Sequence, residues 1–269
     1  MKILMAYKWI VNKFAILGVL LFTMMGCAEQ NKPEEGDSGN GVDIKENCYI
    51  GKPISISKNE RVIFSKGNLQ YDSAEAIYRF AEQQYDILNV SINYIDLLVW
   101  KKYWLEWNDE KWRTLLPSEW KYILCKRINS HSLFSLGSVN GVRGLIILPD
   151  EWECPADCSF ISSVDFGLEW QNDRCFIDKE GGHFVDNVYD IEHWRKMETN
   201  GAVFLPAGGR RLDEQYSFVQ SHGYYWSYER SDSNEDYAYS VDFSDYGIDI
   251  QTLVRCDLGL SIRLVRIVN

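Results

Sequence analysis

The chain has 269 residues, 46% of them hydrophobic and 14% aromatic, with ten tryptophans and a formal net charge of −11. Acidic residues outnumber basic ones 39 to 28, and no basic stripe occurs along the sequence, which argues against nucleic acid as a partner. The aromatic content suits either a loop-rich core filled by large rings or a surface that stacks on sugars.

Residues 1–26 read as a targeting segment. Lys2, Lys8 and Lys13 form a positive head. Phe14 to Met25 is a nearly unbroken apolar run, too short to span a bilayer comfortably. It ends at Met24-Met-Gly-Cys27, and a small residue directly before a cysteine resembles the lipobox of bacterial lipoproteins. On that resemblance residues 1–26 are a lipoprotein signal peptide and Cys27 is the lipid anchor, held in the membrane by buried acyl methylenes. Residues 27–47 are rich in Gly, Asn and acid with few aliphatic side chains, the composition of a disordered acidic tether. Acidic residues just after the cysteine resemble the surface-export signal of lipoproteins in some gut Gram-negative anaerobes. The expected location is the outer membrane, with the domain at the cell surface or on the periplasmic face. Without the three leader lysines the chain carries 25 basic against 39 acidic residues, a net charge of −14.

Residues 48–269 are long enough to bury a core without covalent staples. Six cysteines remain: Cys48, Cys125, Cys154, Cys158, Cys175 and Cys256. An exported chain can oxidise them, and fifteen full pairings exist. Cys154 and Cys158 are the candidate disulfide, a staple across one turn. Cys154, Cys158, Cys175 and His183 could also be written as a zinc set, although their spacing matches no common finger. Cys125 falls inside a predicted helix, where a buried thiol is as natural as a bridge.

Pro53 to Ser65 predicts short strands, with Ile54, Ile56, Val62 and Phe64 at alternate positions around an Asn59-Glu60 turn. Asn68–Tyr71 and Ile77–Ala81 predict a further hairpin. Trp100, Trp104 and Trp107 fall at helical spacing, which predicts a packed helical turn or two, or else a stacking platform. Ser118 is placed to cap a helix over Glu119 to Ile128, with Trp120, Ile123 and Leu124 on one face. Val142 to Leu148 is a strand ended by Pro149. Asp190 caps a second helix, Ile191 to Glu198, with Trp194 and Met197 inward and Asn200-Gly201 as its stop. Ala202 to Pro206 is a strand, and Gly208-Gly209 permits a sharp turn. Tyr237 to Phe243 and Leu260 to Arg266 alternate apolar and polar residues, the pattern of strands with one buried face. The second of these would tie the chain end into the core. The order of elements predicts an α+β domain with short helices, small antiparallel sheets and much loop.

Five segments taken together carry a family resemblance: Pro117-Ser-Glu-Trp120, Gly144 to Trp152, Gly201 to Ala207, Tyr225-Trp-Ser227 and Gly259-Leu-Ser-Ile-Arg263. In this order they resemble the sulfatase-modifying-factor-like domain, a C-type-lectin-like fold, in the noncatalytic form found in surface lipoproteins. The resemblance spans roughly Arg61 to Ile267. Catalytic members of that group use two C-terminal cysteines to bind copper and oxidise a sulfatase cysteine to formylglycine, and soft thiolates suit copper(I). Here Cys256 stands alone in that region. The resemblance therefore implies a noncatalytic lipoprotein with no resident cofactor, binding a glycan, a peptide or a protein partner. A fimbria-like accessory or tip subunit and a divergent copper-dependent oxidase are the alternatives.

The candidate ligand surface is Trp226, Tyr228, Asp232, Asn234 and Asp236, where an aromatic run meets an acidic loop. Calcium is the ion that Asp232–Asp236 or Asp242, Asp245 and Asp249 could take, since it prefers oxygen ligands. The loop lacks the glycine of a calcium-binding hand, and a solvated acidic loop explains it equally. The four histidines lie far from any Ser or Cys motif, so no catalytic triad is written in the chain.

Overall fold

The computed structural model describes residues 48–72, 77–87, 92–93, 95–96, 105–107, 110–165, 169–171, 174–176 and 183–268. The leader, Cys27 and the tether lie outside these residues, as do Trp100 and Trp104. The architecture is mixed: mostly small antiparallel sheets, two α-helices and much loop, compatible with an α+β domain. Among the described residues no helix is long and apolar enough to cross a membrane.

Both ends of the described chain meet in one sheet. The strands Ile54–Ser55 and Arg61–Phe64 pair antiparallel, and Arg61–Phe64 pairs again with Val265–Val268. Ile54, Ile56, Val62 and Phe64 are all buried, as their alternation requires. The turn between the first two strands is held by the Ser57 hydroxyl oxygen, which accepts from the Asn59 and Glu60 amides at 3.2 and 3.0 Å. The C-terminal apolar run is not one continuous strand. Gly259–Leu260 forms a short strand and Val265–Val268 another, with Ile262 and Leu264 buried between them.

A second sheet orders Val188–Tyr189, Phe134–Val139, Val142–Ile147 and Val203–Pro206, with Val188–Tyr189 joining in parallel. Its central hairpin turns at Asn140 and Gly141, both at positive φ (50° and 78°), the geometry that two-residue hairpin loops need. That Asn-Gly signal was present in the sequence, but only the Val142 strand was expected. The predicted Ile191 helix is found at Ile191–Thr199. Asp190 accepts from the His193 amide at 2.8 Å, Trp194 and Met197 are buried, and Gly201 takes φ 96° after the Asn200 cap.

Two local expectations are corrected. The helix at Pro117–Lys121 is capped by Leu116 rather than Ser118: Pro117 occupies the first helical position and Glu119 accepts the Leu116 amide at 2.8 Å. Glu119 can do so because Arg113 grips both its oxygens at 2.6 Å, a buried bidentate pair. The helix then widens into a π-helical turn, Tyr122–Lys126. The tryptophan-rich segment is also not helical where it is described: Leu105–Trp107 pairs with Glu110–Trp112 as a hairpin.

The largest sheet runs Glu169–Gln171, Arg174–Phe176, Gly247–Arg255, Tyr237–Ser244, His222–Arg230. Three long strands, His222–Arg230, Tyr237–Ser244 and Gly247–Arg255, form its body. Tyr225, Val241, Phe243, Ile248 and Ile250 point inward to the main core. A second apolar cluster covers the opposite face at the other end of the same strands, taking in Trp226, Ala238, Val254, Cys256, Leu258 and Leu260. Hence the alternation expected for Tyr237 to Phe243 holds at Val241 and Phe243, while Ala238 is fully buried and Tyr237 and Tyr239 are only half-buried. The outer edge of His222–Arg230 is closed in turn by a bridge from Gly209, a bridge from Ser261 and the Leu115 carbonyl, which accepts from Tyr228. These contacts cover part of its pairing edge.

One buried polar centre ties these layers together. Arg263, 1% exposed, donates to Gln84 Oε1 at 2.6 Å, and the same oxygen accepts the Phe204 amide at 2.7 Å. Burial pulls the Arg263 guanidinium down to about 10, against the pull of Tyr225 and Glu198. Tyr225, also buried, donates to the Pro206 carbonyl and accepts from Asn68 Nδ2.

Candidate functional site

Of the expected ligand surface, Trp226 is buried while the acidic loop is exposed. Trp226 is 1% exposed, packed in the second core cluster beneath the segment Leu258 to Leu264. Its amide donates to Ser261 and the Ser261 amide bonds back to Tyr224, so that segment lies directly along the strand. A ring in this position cannot stack on a ligand. Asp232, Asn234 and Asp236 are exposed at the tip of the first long hairpin, and Tyr228 is half-buried. The tip is a hydrogen-bonded turn: Asn234 Oδ1 accepts the Asp236 amide at 3.0 Å, and the Ser231 and Ser233 hydroxyls meet at 2.9 Å.

The open concavity lies at the other end of the same sheet. Eight strand residues, roughly 25 Å at about 3.3 Å per residue, separate the acidic tip from the turn at Tyr246. There a cleft of about 330 Å³ is lined by Arg174, His222, Tyr224, Asp242, Tyr246 and Asp249 together with backbone of the Phe243–Ile248 turn. Strand register builds it. Tyr224 lies opposite Asp242, Asp242 opposite Asp249 and Asp249 opposite Arg174, so four strands place these side chains in one row on the face away from the main core.

Electrostatics follow from that row. Arg174 Nε pairs with Asp249 Oδ2 at 2.6 Å; the carboxylate is 18% exposed and the guanidinium 63%. Asp242 accepts from the Thr252 hydroxyl at 2.9 Å, a contact set up by a bulge that offsets the third long strand between Ser240 and Asp242. Burial pushes the Asp242 carboxyl up to about 6; the Thr252 bond opposes this, Asp249 adds to it and Arg174 opposes it. The His222 ring stacks nearly parallel on Tyr224, with centroids 5.8 Å apart. Its pKa is lowered by burial and by Arg210, with Asp245 opposing. The Ser221 hydroxyl lies 3.0 Å from His222 Nδ1 and 2.9 Å from the Phe218 carbonyl.

Beside the lining residue His222 stands a hairpin, Arg210–Leu212 paired with Gln215–Ser217. It begins at Gly209, φ 71°, where a Cβ would overlap the Ser217 carbonyl. After it Phe218 and Gln220 take φ of 63° and 64°, an uncommon conformation for a bulky ring. Phe218 is thereby held 4.9 Å from His222, with the Arg210 guanidinium 5.1 Å above its ring. Tyr246 lines the cleft from the hairpin turn and is 79% exposed.

Asp242, Asp245 and Asp249 were weighed as calcium ligands. In the structure each meets a different group: Asp242 the Thr252 hydroxyl, Asp245 the Arg143 guanidinium at 3.5 Å, and Asp249 Arg174. Among the described residues no cluster of three or more His, Cys, Asp or Glu side chains is arranged to hold a metal ion. The expected Cys154–Cys158 bridge is replaced by two thiols. The Cys154 thiol donates to the Cys158 carbonyl at 3.4 Å and the Cys158 thiol to the His193 carbonyl at 3.8 Å. Burial raises both thiol pKa values. The side chains of Cys175 and His183, the other members of the zinc set, lie outside the described side chains. Cys256 is a buried thiol that donates to the Glu235 carbonyl at 3.7 Å, its pKa also raised by burial.

His222, Tyr224, Tyr246 and Arg174 were not singled out as ligand residues from the sequence. The signal for them was faint: His222-Gly223 looked like a turn, and only the pairing of four strands brings Arg174 beside Asp249. Comparison with protein-family models, with curated proteins and with solved structures finds no match for this chain.

Proposed function

We propose that this chain is a noncatalytic, surface-anchored recognition domain of the sulfatase-modifying-factor-like, C-type-lectin-like kind, acylated at Cys27 and carried on an acidic tether. It binds a glycan, peptide or protein partner outside the cell, and the contact is made at the cleft lined by His222, Arg174, Asp249 and Tyr246. The open cleft carries the reading. It combines exposed aromatic surface, paired charges and a rigid sheet floor, the usual make-up of a ligand site.

The state of Cys256 supports a noncatalytic role. A thiol that is to bind a soft metal or attack a substrate needs an accessible, stabilised thiolate. Cys256 is buried among Trp226, Val254 and Leu258, and its environment favours the neutral thiol. The family segments also fall on structural positions: Pro117–Trp120 opens the first helix, Gly144 packs against Phe204, and Arg263 anchors the polar centre.

Protease shaving of intact cells followed by mass spectrometry tests the location: peptides from residues 48–269 are expected in the released fraction, and their absence would place the domain on the periplasmic face. Pull-down of extracellular polysaccharide and protein by the purified domain tests the role. Retention is expected for wild type and loss for the Arg174→Ala/Asp249→Ala pair. Copper-dependent oxidation of a sulfatase cysteine peptide, abolished by Cys256→Ser, would instead make the protein an enzyme.

A further inference from the structure

We propose that the cleft takes a neutral pyranose, with two adjacent hydroxyls on the Asp249–Arg174 pair and its C–H face against the Tyr246 ring. This rests on the recognition reading above and adds the class of ligand to it. The charge pattern argues against an anion. Asp249 is neutralised by Arg174 at 2.6 Å, and Asp242 accepts from the Thr252 hydroxyl. An anionic ligand reaching the remaining donors of Arg174 would also meet the carboxylates of Asp249 and Asp242.

What the pair does offer is a mixed array. A carboxylate only accepts hydrogen bonds, whereas a guanidinium only donates them through five N–H groups. The pair closes through Nε, and the guanidinium is 63% exposed, which leaves donors facing the cleft. Adjacent sugar hydroxyls can donate to the first and accept from the second without either ion losing its partner. Amide groups of a peptide could use the same atoms, and the peptide arm of the test below separates the two ligands.

The rings supply the second half of the match. Tyr246 is 79% exposed, far more than a tyrosine kept for packing, and stands at the rim. Phe218, 45% exposed and held at positive φ, packs against the lining residue His222. A volume of about 330 Å³ lies at the small end of ligand clefts, which run from about 300 to 1,000 Å³. It suits the terminal unit of a chain rather than a long internal segment.

The test is an array of neutral gluco-, manno- and galacto-oligosaccharides beside sulfated oligosaccharides, uronic oligosaccharides and peptides, probed with the soluble domain presented multivalently. Wild type is expected to retain neutral oligosaccharides. Tyr246→Ala should weaken that binding about tenfold, Tyr246→Phe should keep it, and Asp249→Asn should weaken it about tenfold or more. Thermal unfolding of each variant confirms that the fold persists. Binding to neutral sugars that ignores all three substitutions would remove the cleft as the site. Retention of peptides or sulfated chains alone, lost in Asp249→Asn, would overturn the sugar assignment and leave the recognition reading standing. No binding in any class by a folded domain would end both.

Discussion

The two ends of the three long strands carry similar residues and have opposite fates. At one end Trp226, Ala238 and Val254 lie under the segment Leu258 to Leu264, and the aromatic ring becomes core. At the other end His222, Asp242 and Asp249 lie on the same face of the same sheet and line a cleft, with Tyr224 at the boundary, lining the cleft while belonging to the buried cluster. Trp226 is two residues from Tyr224 and points the same way. The difference is set by where the returning chain lies, not by the character of the side chains. An aromatic residue in a strand is therefore a ligand platform or a core member according to a segment more than thirty residues away.

That contrast can be broken from the buried end first. Trp226→Ala should cost about 3–5 kcal/mol of folding stability, the usual penalty for emptying a large aromatic site, measured by urea unfolding. A loss below about 1 kcal/mol would mean that the ring is not in the core. Gly223→Ala comes next. A Cβ there would overlap the Phe243 ring, so it should destabilise by about 1–3 kcal/mol, and an unchanged midpoint would show that the two strands do not pack as closely as described.

At the open end the expected effects on stability are smaller and one has the opposite sign. Asp242 is held at about 6 in the folded chain, above the roughly 3.9 of a free aspartate. The folded form binds the proton more tightly, so its contribution to stability is complete below about pH 4 and is lost as pH rises through about 6. Asp242→Asn should accordingly raise stability at pH 7 by on the order of 1 kcal/mol and flatten the dependence between pH 4 and 6. Unfolding curves across that range check the sign; a variant less stable at pH 7 would show that the charged form is favoured in place. Smallest of all, Tyr246→Ala and Asp232→Ala should each leave stability within about 0.5 kcal/mol. Only the first should alter ligand retention, and loss of binding in Asp232→Ala would return the site to the acidic tip.

Much of the fold was legible in local pattern. Alternation at Ile54, Ile56, Val62 and Phe64, the Asp190 cap, and the Asn200-Gly201 stop depend on interactions within a few residues, and they appear where the pattern puts them. The cap at Leu116 was missed because Glu119 acts there through Arg113, a partner outside the helix. The tryptophan hairpin was missed because spacing of three or four residues was taken for a helix, while the chain around it pairs as strands. The cleft residues were legible only as separate letters.

By itself the sequence determined the binary patterns, the turns and caps, the acidic character of the domain and the lack of a second cysteine near Cys256. Those properties belong to residue types and short spacings, which any copy of the chain carries before it folds. Tertiary structure alone decided that Trp226 is core, that Cys256 is a buried thiol, and that Arg174, Asp242 and Asp249 share one row with Tyr224. Burial and cross-strand register are sums over distant segments, so no window of neighbouring residues contains them.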